Sequence, residues 1–61
     1  MRQSRFNLVL DREMLRKVAG YYIYRSQEEE NRRPVVDGLY IQRETIGENP
    51  PENMRLLLEW E

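Results

Sequence analysis

The sequence predicts an α+β fold: one short helix packed on one face of a three- to four-stranded, mainly antiparallel sheet, in the order β-α-β-β-β. Three observations lead there. Leu39–Arg43 and Met54–Trp60 are apolar, strand-like runs, and the segment between them, Glu44–Asn53, is dense in turn formers. Its Pro50-Pro51 step cannot lie inside a helix or a central strand, because both nitrogens lack a donor and both φ angles are fixed. Arg5–Leu10 alternates, with Phe6, Leu8 and Leu10 on one side and Asn7 and Val9 on the other, which is the period of a strand. After it, Met14, Leu15, Val18 and Ala19 recur at helical spacing.

Each element has its local reason. Asp11 stands where a helix would begin, and its carboxylate can accept from a backbone N–H two or three residues on. Glu13 in the first turn suits the helix dipole. Gly20 is a natural stop, since it takes a left-handed conformation without a Cβ penalty. Tyr21-Tyr22-Ile23-Tyr24 is then a β-favouring cluster. The competing reading runs the helix on through Tyr22 and Ile23, but it sets Glu28–Glu30 near a helix C-terminus, where negative charge is unfavourable. A short helix and a second strand are therefore preferred. Ser26–Pro34 is a polar loop. Ser26 with Glu29 and Thr45 with Glu48 have capping-box spacing, but no apolar helical run follows either pair. Asp37-Gly38 between apolar runs has the form of a two-residue hairpin. That pairing would set Pro34 inside a strand and Arg32 opposite Arg43, so a strand beginning near Val36, with Gly38 as a bulge or close-approach point, is favoured.

Sixty-one residues make one small domain, 1–61. A chain this short buries about 60% of the surface its unfolded form exposes, which leaves its core marginal. With no cysteine or histidine, disulfides and the usual soft metal ligands are excluded as supports. Self-association or a partner is the remaining route. Ten basic and eleven acidic side chains give a net charge of −1, against the basic footprint of a nucleic-acid binder. The charge is polarised, +3 over residues 1–17 and −4 over 44–61, so opposite ends can pair within one molecule or between two. Nine of the ten cations are arginine, the side chain that forks onto carboxylates. No run approaches the roughly 18 apolar residues of a membrane span or the h-region of a secretory signal, and the expectation is a cytoplasmic protein.

Chemistry-bearing patterns are scarce. No histidine or cysteine is present as base or nucleophile, and the glutamates lie in charge runs or turns where they are solvated, so the expectation is a non-enzyme. Glu28–Glu30 lacks the spaced ligands of a calcium loop, and the three glycines make no phosphate loop. No metal, cofactor or small-molecule substrate is expected.

The sheet faces carry the functional expectation. With strands at 5–10, 21–25, 36–43 and 54–60, one face collects Phe6, Leu8, Leu10, Ile23, Leu39, Ile41, Leu56, Leu58 and Trp60, covered by the helix. The other carries Val9, Tyr22, Tyr24, Tyr40 and Leu57, an apolar patch with hydroxyl rims of the kind that marks interfaces. A one-residue register error would exchange the faces. The chain is thus expected to be a small regulatory or interaction module that forms a homodimer or docks a protein partner through Tyr22, Tyr24, Tyr40 and Leu57, with Arg25, Arg32, Arg33 and Arg43 as rim contacts to carboxylates. The alternative is a single-stranded nucleic-acid binder that stacks bases on the same tyrosines.

Overall fold

A computed structural model describes residues 1–27 and 35–61. Of the expected loop Ser26–Pro34, Ser26 closes the second strand, and residues 28–34, with Arg32 and Arg33, lie outside the described residues. Among the described residues four strands, β1 (Arg2–Leu10), β2 (Tyr21–Ser26), β3 (Asp37–Gln42) and β4 (Asn53–Trp60), form one antiparallel sheet in the order β3-β2-β1-β4. The sheet content and the α+β class agree with expectation. The order of elements does not, because the helices are placed differently.

The segment expected to be the covering helix makes only a 3-10 turn, Arg12–Leu15. Its start is as anticipated: the Asp11 carboxylate accepts from the Glu13 N–H at 3.1 Å. Its end has a tertiary cause. The guanidinium of Arg43 donates to the carbonyls of Leu15 (2.7 Å) and Val18 (3.1 Å). In a continuing helix those carbonyls would accept from residues 19 and 22, but Tyr22 is already in β2. Gly20, at φ +84°, then turns the chain into that strand. The one α-helical turn among the described residues is α1 (Arg43–Ile46), which takes Arg43 from the expected third strand and its other residues from the stretch expected to be only a connection.

The expected bulge is present. Tyr24 faces Leu39 while Arg25 faces Asp37, so β3 carries one extra residue there, Gly38, at φ +98°. The Asp37-Gly38 pair lies within β3 and forms no hairpin turn.

Because β3 and β4 are the two edges of the sheet, the chain between them must cross a face. Three strand spacings amount to about 14 Å, and residues 43–52 span that as α1 followed by the Pro50-Pro51 connector. This strap lies on the side to which Tyr22 and Tyr24 point. Tyr22 donates its hydroxyl to the Gly47 carbonyl (2.5 Å) and Tyr24 to that of Pro51 (2.7 Å). Ile46 packs on the same cluster. The core is Leu8, Leu10, Tyr22 and Tyr24, flanked by Phe6, Leu15, Leu39, Ile41, Met54 and Leu56. The lid of the core is the β3–β4 crossover; of the expected 12–19 helix only the 3-10 turn forms, and its Leu15 packs at the margin of that core.

The inner strands are paired unequally. β1 pairs with β4 from Arg2 to Val9 but with β2 only from Leu8 to Leu10. Among the described residues Arg2–Phe6 and Leu56–Trp60 therefore extend as a two-stranded ribbon beyond the four-stranded body.

Candidate interaction surface

The register divides the expected tyrosine patch. Leu10 faces Tyr24 and Leu8 faces Ser26, so Tyr22 and Tyr24 share a face with Leu8 and Leu10, and Ile23 lies on the other. Tyr24 is wholly buried and Tyr22 nearly so. They are core residues, and the assignment of Tyr22 and Tyr24 to an exposed binding face is overturned. The tyrosine hydroxyl is the reason a tyrosine suits these positions: the crossover presents carbonyls with no strand partner, and a buried phenol supplies the donor. Burial raises the Tyr24 phenol above its ordinary pKa, with Tyr22 and Glu52 adding to the effect. A stacking platform for bases would need these rings free, and that support for nucleic-acid binding is lost.

Arg25 and Arg43 are also used internally. Arg25 donates to Asp11 (Nε to Oδ2, 3.0 Å) and to Asp37, bridging the end of β1 to the bulge in β3. The bond to Asp11, helped by the charge of Asp37, raises its pKa further. Arg43 holds the carbonyls of Tyr21, Leu15 and Val18 and lies 4.9 Å above the Tyr22 ring. Neither is a free rim contact.

Tyr40 and Leu57 are exposed as expected, at 58% and 46%. They do not form one patch. Following the ladders from Tyr40 to Ile23, Asp11 and then along β1 to Arg5, opposite Leu57, separates them by about 24 Å on the sheet. Tyr40 meets Tyr21 edge to face, ring centroids 6.0 Å apart. Leu57 sits on the ribbon with the exposed Leu58 and Trp60.

That ribbon gathers three of the exposed large apolar side chains, and β4 is its outer strand. Native edge strands are usually short, bulged, or interrupted by proline or charged side chains, lysine above all. β3, the other edge, fits this pattern, with its bulge at Gly38 and only six residues. β4 fits it only through the charges of Arg55 and Glu59: it runs eight residues, holds no proline or lysine, and pairs with β1 without a register shift. Leu57 points to one face of the sheet, Leu58 and Trp60 to the other, and near them β2 does not extend the sheet. Sequence alternation singles out Leu57 but assigns Leu58 and Trp60 to the core. The missing signal is the sheet order, which makes β4 an edge.

The outward backbone groups of β4 can be identified. Leu10 N–H donates to the Glu52 carbonyl (2.9 Å) across the β1–β4 ladder. Antiparallel pairs alternate between bonded and non-bonded, so Met54, Leu56, Leu58 and Trp60 bond to β1. Asn53, Arg55, Leu57 and Glu59 direct their N–H and C=O away from the sheet, where no described strand meets them.

Among the described residues the concave features are open depressions, including one on the ribbon lined by Arg5, Asn7, Arg55 and Leu57 and another beside Tyr22, Arg43 and Glu48. Among the described residues no group of acidic side chains is placed to hold a metal ion, and no helix is long and apolar enough to cross a membrane. No family model, curated protein or solved structure matches the chain.

Proposed function

We propose that this chain is a small, non-enzymatic interaction module of the cytoplasm that binds protein by adding a strand to the outer edge of β4. The observation that carries the reading is an eight-residue edge, free of bulge and proline, bearing Leu57, Leu58 and Trp60, each more than 40% exposed. Strand addition draws affinity from main-chain bonds and selectivity from alternate side chains. Here the two faces would supply different contacts, with Arg55, Leu57 and Glu59 on one and Leu56, Leu58 and Trp60 on the other.

Leu57→Pro tests it. The Leu57 N–H points away from β1, so proline removes an outward donor and no bond of the fold, as edge positions tolerate. The folded variant should lose binding that the parent chain shows, whether to itself or to another protein. A parent chain that binds neither, and whose Arg55, Leu57 and Glu59 amides exchange as freely as exposed ones at high concentration, would refute the proposal.

A further inference from the structure

Resting on that reading, we infer that the strand added to β4 is β4 of a second copy, antiparallel about a two-fold axis at Leu57. The sequence of the edge is self-complementary in this register. Leu57 meets Leu57 of the second copy. Arg55 meets Glu59 of the second copy, and Glu59 meets its Arg55. On the opposite face Leu56 meets Leu58 of the second copy, and Met54 meets its Trp60, a thioether against an aromatic ring. The hydrogen-bonding parity agrees. The residues that face one another as bonded pairs, Arg55, Leu57 and Glu59, are those whose N–H and C=O point outward. Arg55 and Glu59 are exposed, and neither makes an ion pair among the described residues.

Neighbouring registers fit less well. Centring on Arg55 or on Glu59 sets like charges opposite each other, which is unfavourable. Centring on Leu56 sets Arg55 against Leu57 and Glu59 against Asn53, with neither ion pair made. Centring on Leu58 gives Arg55 the terminal Glu61 but leaves Glu59 against Leu57 and shortens the ladder. The Leu57 axis alone pairs both charges and opposes apolar groups to apolar groups on both faces. It would join two four-stranded sheets into one of eight, and being isologous it closes at the dimer.

Charge exchange on the full chain is the test, read by sedimentation equilibrium from about 1 µM to about 1 mM, a range that brackets weak and moderate association. The parent chain should pass from monomer to dimer. Arg55→Glu and Glu59→Arg each place like charges opposite one another twice per dimer, and each should weaken association by about tenfold or more. Their equimolar mixture should recover the parent affinity as a heterodimer, since every facing pair is then of opposite sign. Both sites are exposed, so far-ultraviolet circular dichroism should not change. A dimer indifferent to both exchanges, or a mixture that does not recover, overturns the inference. So does a parent chain that stays monomeric at the highest concentration. If that monomer still captures another protein and Leu57→Pro abolishes the capture, only the second-copy inference fails; if it captures nothing, the interaction reading falls with it.

Discussion

Replacing Tyr24 with phenylalanine tests the central packing argument. The ring is wholly buried, and its hydroxyl donates to the Pro51 carbonyl at 2.7 Å. Phenylalanine keeps the ring and removes the donor, so a carbonyl of the crossover is left without its partner. The loss of a net hydrogen bond and the desolvation of the orphaned acceptor together amount to about 1–2 kcal/mol. For a domain of this length 1 kcal/mol corresponds to about 8 °C in Tm, so the midpoint should fall by about 8–16 °C. Thermal circular dichroism at about pH 7 measures it. A second measurement is alkaline titration. The folded chain holds the Tyr24 proton to higher pH than the unfolded chain, because burial disfavours the phenolate and Tyr22 and Glu52 add to this. Its stabilisation is therefore complete below the ordinary value of 10.0 and is lost as pH rises through the higher folded value. The parent should lose stability in that window, and Tyr24→Phe should lose less there. A midpoint lowered by under about 3 °C, less than half of 1 kcal/mol on this scale, together with an unchanged alkaline slope, would refute the role of this hydroxyl in holding the crossover to the sheet.

The same geometry sets three further outcomes. Tyr22→Ser should cost about 3 kcal/mol or more and leave much of the chain unfolded, whereas Tyr40→Ser should cost under about 1 kcal/mol, both read by urea denaturation; equal effects would contradict the face assignment. Arg43→Lys should destabilise by about 1–2 kcal/mol and speed amide exchange in residues 12–19, since a lysine cannot reproduce a fork that reaches three carbonyls. Gly38→Ala should cost about 1–2 kcal/mol in the same denaturation assay. A Cβ there would meet Arg25 and Tyr40 at ordinary distances, 3.5 and 3.6 Å, so the cost would come from the backbone at φ +98° and not from a clash.

Local pattern is enough to locate the strands. Alternation in Arg5–Leu10, the β-favouring run after Gly20, and the apolar runs before and after Pro50-Pro51 mark all four, because strand period and the exclusion of proline act over a few residues. The bulge at Gly38 and the Asp11 cap are legible for the same reason. The self-complementary spacing of Arg55, Leu57 and Glu59 is also written in the chain, though only the sheet order shows that this strand has an open side. Which face of β2 lies under the crossover depends on tertiary structure, and Ile23 on the opposite face is buried as well. In Tyr21-Tyr22-Ile23-Tyr24 both alternating sets are apolar, so period cannot choose between them. The face that lies under the crossover from one sheet edge to the other is the one whose tyrosine hydroxyls donate to the Gly47 and Pro51 carbonyls. The helix that fails to form after Asp11 has the same kind of cause. Its carbonyls are claimed by Arg43, 28 residues from Leu15 along the chain, and no local propensity records a partner that distant.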